Sequence, residues 1–237
     1  MKPKIELQNK NRREIMLDEK INDLKKMLVE YALFVDDMIN KSIKGLLKND
    51  KGMLLGVIQK DEPIANSREL VIEENCFVLI AQFSPKAIDM RTILMVLKIN
   101  NDLERIGDMA VNICQSNLFL AGRHDAEHLD DLEKMSSLAE YMLKDSINSF
   151  INNDPKTAQD VCERDDVVDE IGDHILQESI KSMGENPAGI TASLHVLRIS
   201  RDLERLADLA TNIAEDVIFM VEGKIIKHHN EGNIDKA

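Results

Sequence analysis

One segment of this chain occurs twice. Asp102–Ile113 reads DLERIGDMAVNI, and Asp202–Ile213, one hundred residues later, reads DLERLADLATNI. Eight of the twelve positions are identical without a gap, and the match extends backwards, with Leu97-Lys98-Ile99 facing Leu197-Arg198-Ile199. A segment of this complexity repeated at this distance implies two copies of one supersecondary unit. The unit is helical. Val196, Ile199, Leu203, Leu206, Ala210, Ile213, Val217 and Met220 recur at helical spacing. So do Val96, Ile99, Leu103, Ile106, Ala110, Ile113 and Leu120, with Asn117 as the one polar exception. These two seams are read as core.

Around the seams the chain divides into six long helices. The first is expected from about Leu17 to Lys48, with Ile21, Leu24, Leu28, Val35, Met38 and Leu46 as its apolar stripe. The second carries Ile72, Cys76, Leu79 and Ile80 and ends near Phe83; the third starts at Pro85 and stops at Gly122. The fourth runs from about Asp125 to Asn152, with Leu132, Met135, Ala139, Met142 and Phe150 inward. Asp154-Pro155 caps the fifth, which reaches about Met183, and the sixth follows the Gly184–Pro187 break and ends at Gly223. The expected divisions are an N-terminal extension, 1–16, a first repeat, 17–122, a second, 123–224, and a polar tail, 225–237. Scarcity of turn formers (10 Gly, 5 Pro) and of aromatic residues (3%) agrees with helix packing rather than sheets.

A net charge of −13 disfavours nucleic acid and anionic lipid and favours cations and basic protein surfaces. Met1–Lys20 lacks the apolar core of a signal peptide, and no apolar stretch is long enough to span a bilayer, so a cytoplasmic location is expected. Cys76, Cys114 and Cys162 are widely spaced and are read as buried thiols.

The polar side of the repeat is more informative. Projected at 100° per residue, Glu204, Asp208, Arg201, Asn212 and Glu215 fall opposite the seam, as do Glu104, Asp108 and Asn112. Polar identities kept at non-core positions between two copies suggest a face that is used. Glu104/Asp108 and Glu204/Asp208 are i, i+4 carboxylate pairs, whose repulsion a cation would relieve. The preceding helix of each half offers another row: Glu62, Asn66, Glu69 and Glu73 in the first, Asp165, Asp169 and Asp173 in the second. The donors are all oxygen, which suits magnesium, manganese, calcium or iron rather than thiolate-held zinc. The plainer reading is a solvated face with salt bridges to Arg105, Arg201 or Arg205. No Glu-x-x-His motif for a di-iron site occurs, nor a phosphate-cradling glycine loop, nor a nucleophile–base pair. His195 is read as a packing residue. A metal-dependent enzyme using the carboxylates and a metal-free helical scaffold remain the alternatives to a metal-binding regulator.

Gln82–Ile113, QFSPKAIDMRTILMVLKINNDLERIGDMAVNI, closely resembles the signature of PhoU proteins. The stretch from Glu163-Arg164-Asp165-Asp166 through the second DLER segment to Val221-Glu222-Gly223-Lys224 resembles the matching second half. With the six-helix order, the resemblance implies an all-α fold of two tandem, similar antiparallel three-helix bundles, often dimeric. It implies a cytoplasmic negative regulator of phosphate uptake, associated with the phosphate-specific ABC transporter and a sensor histidine kinase and reaching the membrane only through them. It further implies multinuclear metal sites, iron among them. Their ligands map onto Glu104, Asp108, Glu204 and Asp208, with Glu62, Asn66, Glu69, Asp165 and Asp169 as partners. Two departures stand out. Asn66 occupies a position where the family carries an acid, and Pro63 beside Glu62 predicts a kink or helix start there.

Overall fold

The structure is a computed structural model. It describes residues 2–122 and 128–222, with side chains from residue 12 onward. Among the described residues there are seven α-helices and no strand. They are α1 (Lys2–Leu47), α2 (Lys51–Gly56), α3 (Glu62–Phe83), α4 (Ala87–Leu120), α5 (Leu129–Asn152), α6 (Pro155–Glu185) and α7 (Ile190–Glu222). The two halves are α1–α4 and α5–α7.

Several helix ends follow sequence chemistry directly. The Asp154 carboxylate accepts from the backbone N–H groups of Lys156 and Thr157, with Pro155 at the first helical position. Gly122, at φ +87°, takes the left-handed conformation just past α4. Of the kink or helix start expected near Pro63, the helix start is present: a π-helical turn, Val57–Asp61, separates α2 from α3, which starts at Glu62.

Other ends differ from expectation. The extension 1–16 is not separate from the first helix, because α1 already begins at Lys2. Pro3 falls in the first turn, where its missing N–H is harmless, and the Lys, Glu, Gln and Arg that follow are good helix formers. Residues 12–16 are exposed, and core packing begins at Leu17. α4 starts at Ala87 and not at Pro85. Ser84 ends α3 in the left-handed region and Lys86 is extended, so Pro85 serves the turn. A short 3-10 turn, Pro187–Gly189, joins α6 to α7. The expected fourth-helix start at Asp125, the Gly223 stop and the tail lie outside the described residues.

Both predicted seams are core. Val96, Ile99, Leu103, Ile106, Ala110, Ile113 and Leu120 on α4 are buried, as are Val196 through Val217 of the α7 seam, with Met220 partly covered. Asn117 is fully buried within its seam; its Nδ2 donates to the Ser42 carbonyl oxygen on α1 at 2.8 Å. The three cysteines are buried, and burial raises their thiols to about 12 (Cys76), about 12 (Cys114) and about 11 (Cys162), which keeps them protonated.

The halves join through two antiparallel contacts. α4 packs on α7, with Lys98 Nζ 2.6 Å from Asp216 Oδ1 near one end and Phe119 stacked on His195 at 4.1 Å near the other. α1 packs on α5, where Asn40 donates to Glu140 (3.0 Å) and Lys144 pairs with Asp36 (3.2 Å). α3 packs against α1 and α4, and α6 against α5 and α7. The repeated polar positions therefore lie beside the α3–α4 contact in one half and the α6–α7 contact in the other.

Candidate functional site: two acidic ladders

In the second half, α6 and α7 run antiparallel and bring their carboxylate rows together. Burial first, then the negative charges of Asp169, Asp173 and Asp208, raise the Glu204 carboxyl above the usual carboxylate range; Arg201 opposes this. Burial likewise raises Asp169, followed by Asp208, Asp166 and Asp173. Such mutual crowding marks groups that hold protons or cations more readily than a free carboxylate does. Asp165 lies further along the ladder. It stands with Glu215 beside Cys162, since both carboxylates push that thiol upward.

Glu204 has a specific seat. A Cβ built at Gly172 on α6 would lie 1.9 Å from Glu204 Oε1, 3.0 Å from its Cδ and 3.4 Å from its Cγ. The carboxyl group therefore rests on bare α6 backbone, in space that any other residue would fill. Beside it runs a groove of about 510 Å³ lined by Asp173, Leu176, Leu197, Arg198 and Arg201.

The first half repeats the ladder with different support. Burial raises Glu104, followed by Asp108 and Glu69, with Arg105 opposing, and burial and Glu73 raise Glu69. Asn100 Nδ2 ties the rows together by donating to the Glu69 carbonyl oxygen at 3.1 Å. α3 contains no glycine, so Glu104 has no equivalent seat. A third helix contributes instead. Tyr31 on α1 is fully buried, its hydroxyl has no hydrogen-bond partner among the described residues, and its phenol is raised by burial and then by Glu104, Glu69 and Asp108.

Of the predicted residues, Glu104 feels the charges of Asp108 and Glu69 in the first half, and Glu204 those of Asp169 and Asp208 in the second. Glu62 opens α3 at the far end of the first ladder, and Asn66 is exposed on α3. Asp108 and Asp208 are exposed, and Glu104 and Glu204 are half-covered. Arg105 and Arg205 reach back one turn to the buried Asp102 and Asp202, each at 3.8 Å, and Arg105 and Arg201 also act by charge on Glu104 and Glu204. Burial lifts Asp102 to about 6, opposed by Arg105 and Lys98 and reinforced by Asp216. Tyr31 and Gly172 were not singled out from sequence. The only available signal for Gly172 was a glycine inside a helix, which costs stability unless something uses the space.

Known proteins bear on this geometry. Residues 28–116 and 132–217 each match the PhoU domain, one match per half. The chain is a member of the PhoU family. It is 34% identical over 214 residues to the phosphate-specific transport system accessory protein PhoU homolog of Aquifex aeolicus, spanning 90% of this chain and 96% of that one. It is 32% identical over 207 residues to the corresponding Rhizobium meliloti protein, spanning 87% of each. The crystal structure of PhoU from Pseudomonas aeruginosa superposes with a TM-score of 0.83 at 28% identity, covering 87% of this chain and 99% of that one. The phosphate transport system regulatory protein PhoU from Streptococcus pneumoniae gives 0.83 at 25% identity, covering 90% and 100%. The two-bundle PhoU architecture is thus present along nearly the whole described chain. Among the described residues no helix is long and apolar enough to cross a membrane.

The ladders fit a hard cation in donor chemistry. All their donors are oxygen, their carboxylates crowd one another, and among the described residues the enclosed Tyr31 hydroxyl lacks a hydrogen-bond partner beneath the first. The arrangement is open rather than closed: among the described residues no three His, Cys, Asp or Glu side chains gather around one point.

Proposed function

We propose that this protein is a non-enzymatic negative regulator of phosphate uptake and phosphate-starvation signalling. It couples the phosphate-specific ABC transporter to its sensor histidine kinase, and acts in the cytoplasm as a homodimer. The observation that carries the reading is membership, in both halves, of a family whose curated relatives are named as accessory proteins of phosphate-specific transport. Identity of Glu104 with Glu204 and of Asp108 with Asp208 between the two repeats supports action by binding. Deleting the gene should leave phosphate-starvation genes switched on in phosphate-rich medium, and the purified protein should retain the transporter ATPase and the kinase in pulldowns. Unchanged expression together with no retention would sink the proposal.

In the same reading, the ladders take up hard cations such as iron, manganese, magnesium or calcium. Glu204, Asp208, Asp169 and Asp165 would hold them in the second half, and Glu104, Asp108, Glu69, Glu62 and Asn66 in the first. The cation would supply positive charge to groups that now repel one another, drawing α3 to α4 and α6 to α7. Metal content of protein purified without an affinity tag should fall when Glu204 and Asp208 are both changed to Ala. Equal content in wild type and variant would remove the cation from the account.

A further inference from the structure

The groove between α6 and α7 holds positive charge that the fold does not use. Leu194, Leu197, Arg198, Arg201 and Glu204 recur at one-turn spacing on the stripe of α7 that lines it. Arg205, one turn further, is paired with Asp202, whereas the side chains of Arg198 and Arg201 make no hydrogen bond or ion pair among the described residues. They act on the buried Asp202, and Arg201 on Glu204, by charge alone. The repeat explains why. Lys98, the counterpart of Arg198, reaches Asp216 across the α4–α7 contact. The antiparallel register fixed by Lys98 with Asp216 and by Phe119 with His195 sets Ser116, not an acid, opposite Arg198. The counterpart of Arg201 is Asn101, so the pair of open guanidinium groups belongs to the second half alone.

The groove arranges its chemistry in order. Glu204 and Asp173 stand at one end, beside Gly172; Arg201 and then Arg198 follow; Leu197 and Leu194 line the other end. From Leu194 to Glu204 the helix rises about 15 Å. The space of about 510 Å³ is that of a small-molecule site and far exceeds a single phosphate ion. Guanidinium forks match phosphate oxygens two at a time. The acidic end suits a cation that arrives with its ligand. Magnesium takes one or two carboxylates and fills its other positions from phosphates and water, and among the described residues no three acids gather around one point. A chain of net charge −13 repels a bare polyanion, and a bound cation reduces that repulsion. Leu194, half-exposed, and Leu197, packed on the core, offer apolar cover for a ring. Acid, arginine and leucine in this order complement magnesium, phosphates and a nucleobase.

We propose that the α6–α7 groove binds a nucleoside triphosphate as its magnesium complex, with the phosphates on Arg198 and Arg201, the metal at Glu204 and Asp173, and the base against Leu194 and Leu197. The metal contact rests on the cation reading of Glu204; the arginine and leucine contacts do not. The test is isothermal titration of the full chain with ATP in excess magnesium, since leucine cover does not select among bases. ATP should bind at least about tenfold tighter than adenosine or inorganic phosphate, and several-fold tighter than inorganic tripolyphosphate. The variant Arg198→Gln/Arg201→Gln changes two exposed side chains and should keep its helical circular dichroism while weakening ATP at least about tenfold. Leu194→Asn should weaken ATP several-fold and leave tripolyphosphate unchanged. Absence of saturable ATP binding with magnesium present, or an arginine variant that binds like wild type, would overturn the site and leave the cation reading standing. Tripolyphosphate binding as tightly as ATP would overturn the nucleotide. An ATP affinity unchanged by EDTA would overturn the magnesium complex, and the cation reading of Glu204 with it.

Discussion

Replacing Gly172 by Ala sets two effects of similar size against each other. Alanine inside a helix is favoured over glycine by about 0.8–1.0 kcal/mol. The new methyl, however, falls 1.9 Å from Glu204 Oε1, whereas ordinary contact begins near 3.4 Å, so the carboxyl must move by roughly 1.5 Å. The atom in the way is the tip of a flexible side chain, and rotating it out costs about 0.5–1.5 kcal/mol. In the wild-type background the two should nearly cancel, leaving the melting temperature almost unchanged. Once Glu204→Ala has emptied the seat, Gly172→Ala should show its full helix gain. For a chain of this size that is about 2–4 °C in melting temperature. The assay is a double-mutant cycle by thermal and urea denaturation. A cycle that closes within about 0.3–0.5 kcal/mol would mean the two residues are independent and would refute the seat.

Two further outcomes follow from buried polar groups. Asp102 is 6% exposed, and burial raises its carboxyl from 3.8 to about 6. A raised carboxyl binds its proton more tightly when folded, so its contribution is unfavourable above pH 6 and is relieved as pH falls from about 6 towards 4. Urea denaturation should show that Asp102→Asn is more stable than wild type at pH 7.5, by up to about 3 kcal/mol, with the advantage vanishing near pH 4. An advantage that does not change with pH would contradict the burial argument. Asn117→Ala removes the 2.8 Å bond to the Ser42 carbonyl and empties part of a closed seam. It should cost about 1–3 kcal/mol in urea, and a neutral result would show that the buried amide contributes nothing net.

Most of the fold was legible because helical cores announce themselves by period. Leu103, Ile106, Ala110 and Ile113 on α4 and their α7 counterparts are buried as their spacing required. Asp154-Pro155 and Gly122 mark helix ends by local chemistry alone. The start of α1 was not legible, since a mixed-charge stretch of good helix formers carries no boundary signal. At the site, the i, i+4 carboxylate pairs could be read from one helix at a time. Which acid meets which depends on the register between helices, which the sequence of one helix does not contain. The charge of Asp169 on α6 acting on Glu204 of α7 is a pairing of that kind. Tyr31 approaches its ladder from a third helix, far before Glu104 in the chain, and a buried tyrosine in an apolar stripe looks like ordinary core. Gly172 was hidden for a similar reason: its role is visible only when the neighbouring Glu204 is in view.

The proposed function requires that the polar residues shared by the two repeats carry the regulatory activity, and their seams only the fold. A phosphate-starvation reporter measured in phosphate-rich medium, in cells lacking the gene, tests it directly. Wild-type protein should restore repression, while a folded variant with Glu104, Asp108, Glu204 and Asp208 all changed to Ala should leave the reporter on. Full repression by that variant, at equal protein level, would contradict the account.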